Sequence, residues 1–420
     1  MRYLYRLLVY LLAPVFFGAM LLRGLRDRSY WRKLAERFGY GPGTAGSSIW
    51  VHAVSVGEVQ AAAALVHALG DRHPEMPLVV TTVTPTGAER ARALLGADVL
   101  VRYLPYDLPG AVRRFLDRIR PHIAIVIETE LWPNLYHACG ARGVPLVLAS
   151  ARLSPRSIRR YRLLARLFAE TLSHGIVIAA QSAADAQRFR SIGAPPDRTH
   201  VTGNLKFDFA PPADIADRGV DIRRAQAAGR PVWIAGSTHP GEEERVLAAH
   251  RRVRAQVVDA LLILVPRHPS RFGEVAALLH RERVSFVTRS SRQNCSPDTE
   301  VMLVDTLGEL VAFYAASDVA FVAGSLVPIG GHNLLEPAAL GRAILTGPYN
   351  FKGQDVADLL FECRAAERVA NSEELAAAVV RLLRDPDERA RMGGIARDTV
   401  QSNRGALARL LELVEPLLLR

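Results

Sequence analysis

Cysteine is scarce in this chain, since only three cysteines occur among 420 residues. Cys139, Cys295 and Cys363 are far apart and do not have the spacing of metal ligands. This distribution argues against a disulfide framework and favours a reducing compartment.

Lysine is scarce relative to arginine, because Lys33, Lys206 and Lys352 are the only lysines among 53 basic residues. In such a composition, a retained lysine suggests that a compact ammonium group is needed. Lys206 lies between the two halves of the chain, where it could contact a phosphate or a developing negative charge. The alternative is an ordinary surface lysine.

Several motifs are also missing. The chain has no P-loop, no Gly-x-Ser-x-Gly elbow and no His/Cys/Asp cluster that requires a metal. Asp385 and Asp387 form a D-x-D pattern between two helical stretches, which predicts a turn with an N-cap. There is no short repeat or low-complexity tract. With 49% hydrophobic and 23% charged residues, the composition is that of a globular chain long enough for two domains.

The net charge of +11 is concentrated near the N-terminus. Residues 1–33 contain seven basic residues and one acidic residue, which supply more than half of the excess. These charges flank an uncharged apolar run at 7–22. Basic charge beside an apolar segment favours contact with anionic lipids over a nucleic-acid groove, so no nucleic-acid partner is expected.

The apolar run is shorter than the ~20 residues usually needed to span a bilayer, and Pro14 interrupts it. No small-residue cleavage site follows it, which argues against a signal peptide. The larger basic cluster lies on its C-terminal side and keeps the rest of the chain in the cytoplasm. We therefore predict an uncleaved membrane anchor, either monotopic or marginally spanning. The alternative is a buried helix of the first domain.

After the anchor, short apolar runs rich in β-branched residues alternate with helical stretches. This alternation predicts parallel sheets covered by helices on both faces. A Pro-, Ala- and charge-rich connection interrupts the pattern near residue 210. We therefore predict an α/β protein with two doubly wound, Rossmann-like domains and a ligand cleft between them. The predicted boundaries are 1–33 for the anchor and basic flank, 34–208 for the first domain, 209–230 for a linker, 231–400 for the second domain, and 401–420 for a C-terminal helix that could pack back on the first domain.

Polar residues follow the predicted strands of the first domain. Glu58 lies in Ser55-Val56-Gly57-Glu58, directly after the strand at 49–54, and Gly57 would let a substrate approach the backbone. Glu128 and Glu130 follow the strand at 123–127, and Arg152 follows the strand at 145–149. This pattern is typical of a polar acceptor site. The alternatives are a helix-dipole role for Glu58 and an internal hydrogen-bond network for the other two carboxylates.

Small and basic residues follow the strands of the second domain. The turn Ser237-Thr238-His239 opens a helix and could hold an anion. Pro266 and Arg267 end the next strand. A Gly-rich loop leads to Glu336, which could accept hydrogen bonds from a ribose diol. Together these features favour a domain that binds phosphate and nucleotide.

The motifs SVGE (55–58), TPTG (84–87), ETELWPN (128–134), TGNLKFD (202–208), STHPGEE (237–243), VPRHP (265–269) and GGHNLLEP (330–337) resemble those of the Kdo transferases. Those enzymes attach 3-deoxy-D-manno-octulosonic acid (Kdo) to the lipid A precursor. The resemblance implies an inverting GT-B glycosyltransferase of the inner membrane, which uses CMP-Kdo as donor and needs no cofactor or catalytic metal. It further implies that the acceptor binds the first domain and CMP-Kdo the second.

The resemblance also implies roles for individual residues. Glu58 would be the proton acceptor, and Glu128 and Lys206 would stabilise the transition state. The CMP contacts would be Pro266, Arg267, Leu307, Gly308, Glu309, Asn333, Leu334, Leu335 and Glu336. Further contacts to donor or acceptor could come from Ser55, Gly57, Glu130, Arg152, Ser237, Thr238 and His239. Pro337 stands where the family often has alanine, which alters the start of that helix slightly.

Two other functions remain open on sequence alone. The chain could be another GT-B enzyme, such as a nucleotide-sugar epimerase or a transferase with a different lipid acceptor. It could also be a membrane-tethered protein that binds nucleotide sugar without turnover, although such a protein has no need of a base at Glu58.

Overall fold

The computed structural model describes residues 2–154, 158 and 165–419. The chain divides into two compact units. Unit 1 comprises Met1–Asp208 and Asn403–Arg420, and unit 2 comprises Phe209–Ser402. The last helical segment therefore belongs to the first unit, and the segment predicted as a linker belongs to the second.

Unit 1 contains a seven-stranded parallel sheet with the order β3-β2-β1-β4-β5-β6-β7. Its strands are β1 Ser48–His52, β2 Leu78–Thr82, β3 Leu100–Tyr103, β4 Pro121–Ile127, β5 Leu146–Ala151, β6 Val177–Ala180 and β7 Thr199–Val201. Its helices are α1 Arg2–Arg26, α2 Val56–Arg72, α3 Pro85–Leu95, α4 Pro109–Ile119, α5 Pro133–Gly140, α6 Ala165–Leu172 and α7 Ala183–Arg190. The strand order reverses between β1 and β4, which is where doubly wound folds bind their ligands.

Unit 2 contains a second seven-stranded parallel sheet, with the order β10-β11-β9-β8-β12-β13-β14. Its strands are β8 Val232–Thr238, β9 Leu261–Pro266, β10 Phe286–Thr288, β11 Val301–Leu303, β12 Val319–Val322, β13 Ala343–Thr346 and β14 Ala366–Arg368. Its helices are α8 Ile215–Gln226, α9 Glu243–Arg254, α10 Phe272–Arg281, α11 Leu310–Ala316, α12 Leu335–Ala339, α13 Gln354–Glu362, α14 Ser372–Arg384 and α15 Pro386–Ser402. Here the order reverses between β8 and β12. The expectation of two doubly wound domains is confirmed.

The sheet of unit 1 is buried on both faces because alternate residues of each strand point to opposite sides. In β1, Ile49 and Val51 face one apolar cluster and Trp50 faces the other. The first cluster also takes Leu410 and Val414 from α16, Ala406–Leu418. The Asp208 carboxylate accepts hydrogen bonds from the backbone of Gly405 and Leu407 and fixes the start of α16. The predicted C-terminal helix thus completes the core of unit 1.

Helix α1 packs along unit 1 by one face. Near its start the Tyr5 hydroxyl donates to Asp107 (2.9 Å), and near its end the Tyr106 hydroxyl donates to Met20 (2.9 Å). The opposite face exposes large apolar side chains, among them Leu4, Leu7, Leu8, Leu11, Val15 and Leu22. Among the described residues, α1 is the one helix long and apolar enough to cross a membrane, by length and composition.

Candidate functional site

In unit 1, Glu58 lies in the first turn of α2, immediately after β1. Its carboxylate accepts hydrogen bonds from the backbone N–H of Val54 (2.8 Å) and the hydroxyl of Ser55 (3.0 Å), a variant of the capping box in which the residue before the N-cap Ser55 donates. Burial, together with the nearby charges of Glu128 and Glu130, raises the pKa of Glu58 to about 7 against the opposing effect of those hydrogen bonds. A side chain that caps a helix is thus also poised to exchange a proton near neutral pH.

Glu128 follows β4, the strand next to β1, in the left-handed backbone region with a φ of 59°. Its carboxylate forms an ion pair of 2.8 Å with the ammonium group of Lys206. Lys206 lies in the 3₁₀ turn Leu205–Asp208, where its backbone N–H donates to Asn204 (3.0 Å). Positive φ is uncommon outside glycine and marks a backbone held in place by its surroundings.

The other unit 1 residues predicted for the site lie at the same sheet edge. Burial raises the pKa of Glu130, and the charge of Glu128 adds to that rise. A side chain at Gly57 would meet no atom within 4 Å, so the space beside it is open. Arg152 is half-buried after β5. The structure therefore brings Glu58, Glu128, Glu130 and Lys206 into one group.

In unit 2, the last residue of β8 pairs with the residue that follows β9. The backbone N–H of Arg267 donates to Thr238 (3.0 Å), and the Thr238 hydroxyl is buried without a hydrogen-bond partner. Ser237 has a φ of 64°. The ring nitrogen Nε2 of His239 lies 2.9 Å from that of His332, which belongs to the loop after β12. The ends of three strands thus meet at one place.

The remaining nucleotide contacts predicted in unit 2 are in two segments. Leu307 is 69% exposed. The Glu309 carboxylate forms an ion pair of 2.9 Å with Arg289, and the hydrogen bond from Arg289 lowers the pKa of Glu309. Asn333 accepts from the backbone N–H of Leu335 (3.1 Å) and donates to Glu336 (3.2 Å). The side chains of Leu334 and Leu335 are buried, so a ligand would reach these two residues through their backbone.

A shallow cavity of about 610 Å³ lies elsewhere in unit 2. Arg223, Asp318 and Arg342 line it, at the amino ends of the strands and thus opposite the edge that carries Arg267. Arg223 and Asp318 form an ion pair with each other (2.9 Å), so their charges are already satisfied. This cavity is therefore a poor candidate for the functional site.

Comparison with known proteins identifies the family. Residues 32–209 match the family model of 3-deoxy-D-manno-octulosonic-acid transferase (kdotransferase). The 3-deoxy-D-manno-octulosonic acid transferase of Haemophilus influenzae is 40% identical over 423 residues, covering 100% of this chain and 99% of that protein. The enzyme of the same name from Bordetella pertussis is 37% identical, with 99% of both chains covered.

This chain is a member of the Kdo transferase family. It is therefore a glycosyltransferase, as the motifs from SVGE to GGHNLLEP predict.

Solved structures agree with the fold of this Kdo transferase. UDP-GlcNAc 2-epimerase from Neisseria meningitidis has a TM-score of 0.57 at 13% identity and covers 88% of the chain and 100% of its own. A glycosyltransferase from Rickettsia africae has a TM-score of 0.55 at 14% identity and covers 89% and 99%. At such identities the likeness concerns the fold alone, and it confirms the expected GT-B class.

Sequence reasoning missed part of the arrangement in unit 2. His268 and His332 lie in motifs that point to the site, VPRHP and GGHNLLEP, but they were not predicted as site residues. The available signal was the recurrence of histidine after three strands. Among the described residues, no group of three or more His, Cys, Asp or Glu side chains could hold a metal ion. A metal-independent reaction remains a prediction.

Proposed function

We propose that this Kdo transferase carries Kdo from CMP-Kdo to the lipid A precursor, lipid IVA, in lipopolysaccharide core biosynthesis. The transfer inverts the configuration at the anomeric carbon, and Glu58 is the general base. The observation that carries this proposal is the place of Glu58, which follows β1 at the reversal of strand order and has a pKa of about 7.

The proposed step is a single displacement. The oxygen of an acceptor sugar hydroxyl forms a bond to the anomeric carbon of Kdo, while the bond from that carbon to the phosphate oxygen breaks. CMP leaves with the electron pair, and the hydroxyl proton passes to the Glu58 carboxylate. A base with a pKa near the working pH is half deprotonated and still basic enough to accept this proton.

Glu128 and Lys206 are proposed to stabilise the transition state. Departure of CMP leaves positive charge on the sugar ring, which a carboxylate favours, and negative charge on the phosphate, which an ammonium group favours. Their 2.8 Å ion pair holds both groups in a fixed geometry before the substrate binds. Such preorganisation costs nothing at the moment of reaction.

Unit 2 is proposed to bind CMP through three segments: Pro266 and Arg267, residues 307–309 and residues 333–336. All three follow strands at one edge of the second sheet, as expected for a nucleotide in a doubly wound fold. We propose that this binding needs no metal ion, since arginine and lysine side chains supply positive charge for the phosphate. Transfer should then proceed at the same rate in EDTA.

The protein is proposed to sit on the cytoplasmic face of the inner membrane through α1. Contacts to unit 1 run from Tyr5 to Met20, so one face of the helix is occupied by protein over most of its length. Its exposed leucines form the other face, and basic residues follow at its C-terminal end. This arrangement supports a helix that lies in the plane of one leaflet, beside the membrane-embedded acceptor.

The test of the function is mass spectrometry of the product from the purified chain, CMP-Kdo and tetraacyl lipid A precursor. The expected result is a precursor heavier by one or more Kdo residues. An unmodified precursor, with the donor hydrolysed or intact, would contradict the proposal.

The test of the base compares two capping boxes of this chain. Glu374 caps α14 as Glu58 caps α2, because its carboxylate accepts from the backbone N–H of Ala370 (2.8 Å). Glutamine can keep the capping hydrogen bond but cannot take a proton. We expect Glu58→Gln to lower the transfer rate about 10²–10⁴-fold with CMP binding unchanged, and Glu374→Gln to leave the rate unchanged. Equal rates for the two variants would show that Glu58 only caps its helix.

A further inference from the structure

Three histidines, His239, His268 and His332, form a cluster at the carboxyl edge of the second sheet. The rings of His239 and His332 lie end to end in nearly parallel planes, with centroids 5.1 Å apart and planes at 8°. The ring of His268 meets that of His239 edge-on at 5.4 Å. The residues come from three separate loops, after β8, β9 and β12, so the fold rather than local sequence assembles this histidine cluster.

The rings are neutral around pH 7. Burial, together with nearby positive charges, lowers the pKa of His239 to about 4 and that of His332 to about 3. Between two neutral rings, one Nε2 must donate to the other across their 2.9 Å contact. The ring that accepts at Nε2 carries its proton on Nδ1, so the pair always retains one N–H donor for a ligand.

A buried carboxylate fixes the two loops that carry these rings. Glu242 accepts hydrogen bonds from the backbone of Gly324, Ser325 and Leu326 at 2.7 to 3.0 Å, and from His239 at 3.3 Å. Gly324 has a φ of 69°, and a side chain there would lie 2.8 Å from the ring of His332. The positions of His239 and His332 are therefore set without any ligand.

The charges around the histidine cluster are positive. Arg267 and Lys352 lower the pKa of all three rings, and neither forms an ion pair with a carboxylate in the described part of the chain. The backbone N–H of Lys352 donates to Gly330 (3.0 Å), which keeps this lysine beside the glycine-rich loop. Next to His239, the Thr238 hydroxyl is fully buried without a partner.

Two cations thus lie near these rings without a carboxylate partner in the described part of the chain, since Glu242 is already bound by backbone N–H groups and Glu243 by Arg271. Buried polar groups are almost always paired, and the Thr238 hydroxyl, one residue before His239, has no partner. Together with neutral rings that keep an N–H donor near two cations, this indicates a place for an acceptor. The acceptor that fits is an oxyanion, because it can take several charge-assisted hydrogen bonds at once.

We propose that the histidine cluster, with Thr238 and Lys352, binds an oxyanion of the sugar nucleotide. This inference rests on the proposed donor, CMP-Kdo, which offers two such groups: the phosphate and the carboxylate of the sugar. In this proposal Glu242 does not contact the ligand and only holds the loops that carry His239 and His332.

The test measures the affinity of the full-length chain for CMP and for freshly prepared CMP-Kdo by calorimetry. His332→Phe keeps a ring against His239 but removes both nitrogens, and Lys352→Met removes the charge and keeps the aliphatic stem. Arg391→Met, at an exposed position of α15, is the control for loss of one positive charge. We expect both site variants to weaken CMP-Kdo binding about tenfold or more and the control to change nothing.

The two ligands separate the two sources of the oxyanion. If the variants weaken the binding of CMP-Kdo but not of CMP, the cluster holds the sugar carboxylate. If they weaken the binding of both ligands equally, the cluster holds the phosphate. Wild-type affinity of both site variants for both ligands would overturn the proposal. A wild-type chain that binds neither ligand would instead overturn the proposed donor.

Discussion

Glu58, the proposed general base, also has a role in the fold. Two hydrogen bonds from Val54 and Ser55 hold it at the start of α2 and favour its charged form. Burial and the charges of Glu128 and Glu130 favour the neutral form more strongly, so the pKa of Glu58 rises to about 7. The capping hydrogen bonds orient the group, and the raised pKa makes it useful as a base.

This balance predicts the pH dependence of transfer. A base acts in its deprotonated form, so kcat/KM should rise about tenfold per pH unit below pH 7 and level off above it. The measurement is the pH profile of the wild-type chain between about pH 5 and pH 9. Glu58→Gln should have a low, flat profile over the same range. A wild-type rate that is constant down to pH 5 would contradict the role of this carboxyl.

At the scale of secondary-structure elements, buried apolar strands are the part that the sequence predicts well. The runs before Glu58 and Glu128 become β1 and β4 because their residues are buried on both faces of a parallel sheet. The pattern of apolar runs does not predict strands β3 and β14, because they contain polar residues. In β3, the Arg102 side chain is fully buried and donates to the backbone carbonyl of Tyr40, a contact from outside the strand.

The candidate site follows the same rule. Residues at strand ends, such as Glu58, Glu128 and Arg267, were predictable because parallel strands bring their carboxyl ends to one edge. The Glu128–Lys206 ion pair and the contact between the rings of His239 and His332 were not, because they join residues 78 and 93 positions apart. Local sequence does not encode such contacts. They form only when the complete sheet brings distant residues together.

Helix α16 gives an element-scale prediction. Leu410 is 1% exposed in the core of unit 1, so Leu410→Ala should lower the free energy of unfolding of that unit by about 2–5 kcal/mol. Thermal unfolding by calorimetry measures this effect. Glu412→Ala, on the exposed side of the same helix, is the control and should change the melting temperature very little. A similar melting temperature for the two variants would mean that α16 contributes little to the core.

At the scale of the whole molecule, the proposed membrane contact depends on how α1 lies in the bilayer. Leu4, Leu11 and Leu22 lie on the same exposed face, more than 60% exposed in each case. A helix in the membrane plane places all three at one depth. A spanning helix would separate Leu4 from Leu22 by about 27 Å along the bilayer normal.

Spin labels at these three positions distinguish the two arrangements. The labelled chain would carry Cys295→Ser and Cys363→Ser, while Cys139 is buried and stays unlabelled. In vesicles with anionic lipid, we expect equal depths for the three labels from their accessibility to oxygen and to a polar nickel chelate. A label at Leu11 far deeper than those at Leu4 and Leu22 would show that α1 crosses the bilayer.

Helix α16 also affects the order of events during synthesis. The ribosome makes most of unit 1, then all of unit 2, and only then the segment from Ala406 to Leu418 that fills the remaining space in unit 1. Unit 2 can therefore fold first, although it is encoded second. Until translation reaches the last helix, the nascent chain exposes an unfinished apolar core together with the leucines of α1, so chaperones or the membrane surface have the longest access to the part of the enzyme proposed to carry its catalytic base.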